Sequence, residues 1–532
     1  MTEEWQRKTV IGGFGAELAQ LVPDVMPGEG GGDLTNELLE TPVWTESMLA
    51  SAGIPIIDVP FVTVGGGMGS FVTVDYLRIA GVKPEQIKVL TNIGFPWQTY
   101  EYLTRVSQIP DHSRIRSDSS SRPDNIWGFP SYALQEAWQQ KTLAHLWHVL
   151  IEPVFADYWT PLRTTVFNSL DRESKRIGYE KLLARGAVRM VRRRFGGGYF
   201  VLLTPDAGTS RTKRVAYRAR FVHLAVGYPG LRYLPDLQAY RETHQDYERV
   251  VAAYEPHEHV YETLKNRPGT VVIRGGGIVA SRVLQRLFDD REKNKLPTNI
   301  IHIFRTYVEG PHGPHPWMRR KGGHGWAYQG FNYPKSVWGG QLKAQMRRLD
   351  GDERAKLYDL MGGTNTPKRR VWQKQMADGR AGGYYHDMQG VVEKVEPGQN
   401  GKVISHVKSK NGQEQRIEAD FIIDCTGLEA DISEHRVLAD LLKNGGAYRN
   451  PKGRLEVERH FEVKGTANGD GALYASGAAT LGGYFPGVDT FLGLQVAAQE
   501  ITDDLARRGF GKKIGPVRST IQWFKWIFNS PV

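Results

Sequence analysis

Glycines at fixed spacing are the residues of this sequence whose pattern most plainly could do chemistry. In "FVTVGGGMGSFVTV" (61–74), Gly65, Gly67 and Ser70 follow an apolar run and open a stretch with helical spacing, with Gly69 inside the turn. In "TVVIRGGGIVASRVL" (270–284), Gly275, Gly277 and Ala280 repeat the arrangement. Such a turn suits a dinucleotide. The first glycine permits the tight turn, the second lets the backbone approach a pyrophosphate, and a small third residue lets helix and strand pack closely. The helix then aims its unbonded N–H groups at the phosphates. Either turn alone is also compatible with an ordinary strand-to-helix connection. Two in one chain, each after a strand and before a helix, point to two dinucleotides.

The strands that follow refine this. "IKVLTN" (87–92) ends on Asn92, where an acid commonly holds a ribose hydroxyl; Asn92 is the expected hydrogen-bond partner in its place. "NIIHIFR" (299–305) ends on Arg305. A cation there suits a ribose carrying a 2′-phosphate, which favours NADPH over NADH.

Composition narrows the alternatives. The 532 residues exceed one core, so several domains are expected. Cys425 is the sole cysteine, which excludes a disulfide, a redox dithiol and a cysteine-built zinc site within one chain. The net charge of +11 comes from scattered basic residues without a nucleic-acid motif, so no nucleic-acid partner is expected. No apolar run reaches the roughly 18 residues of a membrane span, and the first residues lack a signal pattern. A cytoplasmic protein with a small-molecule substrate is the expectation.

Flanking segments fit a chain with two nucleotide sites. "FVHLAVGYPGLRYLPDL" (221–237) and "FIIDCTGLEAD" (421–431) are each a strand ending at a small-residue turn. "GALYASGAATLGGYFPGVDTFLGLQVAAQEITDDL" (471–505) reads as a strand, a turn at Gly477, an open loop and a long helix. Over residues 55–510 this order resembles the flavin monooxygenases that use FAD and NADPH: the flavin-containing, Baeyer–Villiger and N-hydroxylating enzymes. "FRT" (304–306) looks like their NADPH-phosphate segment, and "GGTN" (362–365) like one near the substrate. "VAAYEPHEHVY" (251–261) is similar to their F-x-G-x-x-x-H-x-x-x-W/Y signature, with His257 and Tyr261 matching and Val251 and Ala253 departing. Ala478 stands where relatives often carry an acid.

The resemblance implies an α/β fold with two Rossmann-like dinucleotide-binding domains, the second inserted in the first. The expected boundaries are an extension over 1–45, an FAD domain over 46–238 and 421–515, an NADPH domain over 239–420, and a tail over 516–532. The tail's Trp523, Trp526 and Phe528 suit docking on the chain, a subunit contact or, as a minor option, a membrane surface. FAD is expected at Gly65–Ser70, closed over by the segment around Gly477. NADPH is expected at Gly275–Ala280. The implied activity is oxygenation of a nucleophilic small molecule. A flavin dehydrogenase or oxidase, and a nucleotide fold without chemistry, stay open as alternatives.

Two loops hold further candidates. "RIRSDSSSRPDNIWGFPSY" (114–132) is either a surface loop or, through Arg116, Ser119 and Trp127, an element beside the flavin. Residues 308–340 hold three histidines, three tryptophans and eight glycines. No acid or cysteine is spaced to complete a metal site with His312, His315 and His324. The segment reads as an aromatic lid, with His324 and Trp326 facing the flavin cavity to exclude water.

Overall fold

The computed structural model describes residues 32–115, 130–151, 159–206, 212–313, 321–328, 341–361, 366 and 369–532. Apolar, β-branched runs build two sheets. The first contains Val43–Trp44 (β1), Ile56–Asp58 (β2), Phe61–Val64 (β3), Ile87–Thr91 (β4), Leu183–Arg194 (β5), Tyr199–Pro205 (β6), Val215–Ala219 (β7), Phe221–Leu224 (β8) and Ala472–Ala475 (β20). Their order is β2-β7-β6-β5-β4-β3-β8-β20, with β1 on β5. Strands β5, β4, β3, β8 and β20 run parallel, and β6 and β7 add an antiparallel ribbon.

The second sheet contains Val250–Ala252 (β10), Thr270–Arg274 (β11), Asn299–Phe304 (β12), Tyr385–Pro397 (β15), Val403–Ser409 (β16), Glu414–Ala419 (β17) and Phe421–Asp424 (β18). Its order is β10-β18-β11-β12-β15-β16-β17, parallel as far as β15. Two short antiparallel pairs complete the strands: Gly230–Leu231 (β9) with Leu428–Glu429 (β19), and Gly322–Gly323 (β13) with Trp326–Ala327 (β14). The mixed α/β fold with parallel sheets follows the expectation. In sequence, every strand of the second sheet lies between β8 and β20 of the first.

Both sheets repeat one device. β3 lies between β4, which follows it, and β8, which comes much later; β11 lies likewise between β12 and β18. Where the order of strands reverses, a crevice opens beyond their carboxyl ends. The two glycine turns leave β3 and β11 at that point. The helix after β3, Met68–Ile79 (α1), carries the β-branched run Val72–Thr73–Val74, a poor helix former in isolation. Burial holds it: nine of its residues, Ser70 to Leu77 and Ile79, are buried between the sheet and the later helix Phe491–Arg507 (α3). The helix after β11, Ile278–Asn294 (α2), buries Val279, Ala280, Val283 and Leu284 in the second core.

Three sequence expectations change. The β-branched run "IIDVPFVTV" (56–64) reads in sequence as one buried strand, yet Pro60, which has no N–H to donate, separates edge strand β2 from β3. Strand 421–424, assigned by the expected boundaries to the FAD domain, pairs with β10 and β11 in the second sheet. Residues 34–45, expected to lie outside either core, pack against the first sheet, and Val43–Trp44 joins it as β1. Trp44 is fully buried with Leu38, Phe200 and Leu202, and its indole N–H donates to the Leu38 carbonyl at 2.9 Å. An indole fills apolar space too well to stay in an extension.

The tail forms a docked helix, Pro516–Ile527 (α4). Arg172 sits 4.6 Å from the ring of the buried Trp526, and the Trp523 indole N–H donates to Ser131 Oγ at 3.0 Å. Phe528 is exposed. Among the described residues, no helix is long and apolar enough to cross a membrane.

Candidate functional site

The first turn shows why its glycines are required. Gly65 has φ +90°, and a Cβ there would stand 2.5 Å from the Ala225 carbonyl oxygen. One at Gly66 would lie 2.1 Å from Thr91 Oγ1, and one at Gly69 3.0 Å from the Ala225 Cβ. Gly67, which caps α1, is different: a Cβ would meet nothing within 4 Å. The backbone is thus pressed against β4 and β8 on one side and open on the other, where an anion would meet the helix N–H groups. Ser70 is buried, donating to the Gly65 carbonyl and bonding Thr63 Oγ1 at 2.7 Å.

Beneath that turn runs a polar chain. Thr63 Oγ1 bonds His223 Nδ1 at 3.0 Å, and His223 Nε2 bonds Ser476 Oγ at 2.9 Å. It ties β3, β8 and the end of β20 together under Gly65 and Gly477, the latter at φ +75°. Burial pushes the His223 pKa down to about 3, so the ring is neutral.

The second turn repeats the plan. Gly275 has φ +111° with Cys425 O 2.8 Å from its would-be Cβ, Gly277 is open, and Ala280 is fully buried. Here too a histidine lies underneath. His302 Nε2 donates to the Gly275 carbonyl at 2.5 Å, so Nδ1 accepts from the Tyr385 hydroxyl at 3.0 Å. Burial pushes its pKa down to about 4. His223 and His302 were not singled out by sequence, since a lone histidine in an apolar strand has no spacing to mark it.

These rings make acid costly. Their folded pKa values lie below the unfolded value of 6.5, so the unfolded chain binds protons that the folded chain refuses. Stability is full above pH about 6.5 and falls as the pH drops toward 4. The melting temperature followed between pH 7 and 4 should decline across that window. A flat profile would show that the histidines are not held neutral.

A cavity of about 660 Å³ opens above the first turn. Gly65–Gly69, Asn92 and Gly477 line it, together with Ile278, Val279 and Arg282 from the first turns of α2. Both glycine-turn helices therefore begin at one space. Tyr100, Leu103, Phe491 and Leu494 supply apolar walls. Sequence reasoning missed His435, whose ring also lines the cavity. Burial pushes its pKa down to about 4, and its Nδ1 is buried without a protein partner.

Other candidates lie elsewhere. Arg305 follows β12, exposed, at the rim of the second sheet. His324 and Trp326, expected to face the flavin cavity, do not line it. The β13–β14 pair folds them back on the second sheet, with His324 exposed at φ +51°. Trp326 is fully buried, its ring 4.8 Å from Trp372 and 5.4 Å from Phe304, both edge-on. Packing against these aromatics claims the indole for the core. Arg116, Ser119 and Trp127 lie outside the described residues. Among the described residues, one trio, His460, Glu462 and Asp504, could reach a metal ion, but Arg508 already bonds both carboxylates.

Cys425, directly after β18, is buried, and its thiol pKa is pushed well up by burial and then by the Asp424 charge. A protonated thiol without a partner is no redox group. Cys425→Ser is expected to keep flavin reduction while losing about 1–3 kcal/mol through a buried hydroxyl. Thermal melts and reduction rates on the purified variant check both halves.

No protein-family model and no curated protein matches the chain. Solved structures do. The ornithine hydroxylase PvdA from Pseudomonas aeruginosa aligns at TM-score 0.59 and 15% identity, covering 85% of this chain and 100% of that one. The ornithine N-hydroxylase KtzI of Kutzneria sp. 744, described with FADred, NADP+ and L-orn, gives 0.61 and 13%, over 85% and 100%. The cadaverine monooxygenase DfoA of Erwinia amylovora, bound to FAD, gives 0.59 and 14%, over 86% and 96%. Across nearly their whole length, this chain has the fold of these two ornithine hydroxylases and this cadaverine monooxygenase.

Proposed function

We propose that the chain is an FAD-dependent oxidoreductase reduced by NADPH, and that it oxygenates a nucleophilic small molecule. One observation carries this reading: a single cavity meets both the first glycine turn and the helix start after the second. A hydride donor on one turn and its acceptor on the other must meet, and this space allows it. The residues also fit the groups, since Gly67 and Gly277 leave open the two positions where a side chain would block a pyrophosphate.

Bound flavin would supply the two-electron transfer and oxygen activation. The chain's own part is placement and shelter. The α1 N–H groups hold the FAD pyrophosphate, Asn92 reaches its ribose, and Arg305 takes the 2′-phosphate of NADPH. Tyr100, Leu103 and Phe491 keep water from the reacting atoms. His435, neutral and with an open Nδ1, offers a bound molecule one hydrogen-bond partner. The fold neighbours described above act on ornithine and cadaverine, which supports a nitrogen nucleophile. Oxidation without oxygen insertion is the second reading, supported by the departures Val251 and Ala253.

The test is the visible spectrum of the purified protein. A yellow chromophore bleached by NADPH without oxygen supports the proposal, and a colourless protein that takes up no FAD contradicts it. Counting peroxide against NADPH consumed, with candidate amines present, then separates oxygenation from oxidase turnover.

A further inference from the structure

Two arginines beside the second glycine turn, Arg282 buried and Arg369 half-buried, have no counter-charge among the described residues. Arg282, on α2, is 8% exposed and lines the cavity. Its Nη1 donates to Ser113 Oγ at 3.3 Å and Gln285 Oε1 at 3.4 Å, and its Nη2 to the Arg114 carbonyl at 3.2 Å. Its Nε is buried with no acceptor. Arg369 stands behind it, where Nη2 donates to the carbonyl and hydroxyl of Ser281 at 3.2 and 3.1 Å. Its Nε and Nη1 are buried with no acceptor, and the guanidinium lies 5.1 Å from the Trp372 ring.

Every one of these acceptors is neutral. Four other buried arginines are treated differently: Arg192 meets Asp440, Arg241 meets Glu255, Arg274 meets Asp236, and Arg354 meets Glu456. Burial pushes Arg282 down to about 10, and burial with the charge of Arg282 pushes Arg369 to about 9, yet both stay charged at neutral pH. Two desolvated like charges with orphaned donors, beside a helix start that is itself positive, are unfavourable unless an anion completes them.

We propose that Arg282 and Arg369 form an oxyanion subsite opening on the cavity. Its occupant is a phosphoryl or carboxylate group, which two forked guanidinium donors recognise well. It comes either from the diphosphate of the nicotinamide dinucleotide or from the molecule to be oxidised. Naming these two sources rests on the proposed function; the subsite itself does not.

The experiment is thermal melting of the purified protein and of Arg282→Met, Arg282→Lys and Arg369→Met. Each is melted in a zwitterionic buffer alone, then with inorganic pyrophosphate, succinate or NADP+. The expected result is that an anion raises the wild-type melting temperature, and that the rise is lost in Arg282→Met and Arg369→Met and partly kept in Arg282→Lys. Without anion, the methionine variants should melt about 2 °C or more above wild type, because an unpaired charge has gone. A parallel NADP+ titration separates the sources. A tenfold or greater loss of NADP+ affinity in Arg282→Met assigns the subsite to the dinucleotide. Unchanged affinity, with the succinate response lost, assigns it to the molecule oxidised. No anion response in wild type, or one that persists in the methionine variants, overturns the proposal. Failure of the flavin reading would instead show as a colourless protein with its pyrophosphate or succinate response intact.

Discussion

A Gly67→Val protein should fold as well as the native chain and emerge from purification without flavin. Position 67 has φ −76°, which any residue can adopt, and a Cβ built there meets no protein atom within 4 Å. Valine is a poor helix cap, which costs about 1 kcal/mol at most. Its methyl groups would fill the space in which the turn presents its N–H groups. A loss of about a hundredfold in FAD affinity is expected, on the order of 2.7 kcal/mol. The ratio of flavin to protein absorbance reads the loss, and a melting curve shows that the fold survived. Gly65→Val makes the contrast: at φ +90°, against the Ala225 carbonyl, it should damage the fold itself. Flavin content equal to wild type in Gly67→Val would remove the dinucleotide from this turn.

The second large effect is expected at Arg305. Its side chain is exposed and makes no ion pair among the described residues, so replacing it by alanine should cost little stability. If it holds the 2′-phosphate, the lost charge-assisted bonds lower NADPH affinity by roughly 10–100-fold, while NADH, which lacks that phosphate, is unaffected. Anaerobic flavin bleaching against the concentration of each coenzyme measures the split. Equal loss with both would assign Arg305 to structure.

The glycine turns were legible because their constraint is local. A positive φ at Gly65 and Gly275, and backbone contact on one side, leave glycine as the readable answer. Tertiary choices left no such mark. The strands at 221–224 and 421–424 have the same form in sequence, and nothing in their period says which sheet receives each. Trp326 sits in a glycine- and histidine-rich segment whose composition suggested a lid, yet the space beside Trp372, forty-six positions on, claims its ring. Arg282 and Arg369 are likewise far apart in the chain, and His223 carries no neighbour that announces Thr63 and Ser476. What spacing cannot encode, only the packed core reveals.

The late arrival of β20 bears on how the chain is made. β8 receives its outer neighbour, Ala472–Ala475, about 250 residues after it has left the ribosome. At roughly 5–20 residues per second, that is an interval of about 10 to 50 s. All the strands of the second sheet emerge within it, so that sheet can close first. Meanwhile the newborn first sheet shows an open edge at β8, with a row of unpaired amides beside buried-type residues such as Phe221 and Val222. The nascent polypeptide is most exposed to aggregation there, and chaperone demand should be greatest just before residue 475 appears.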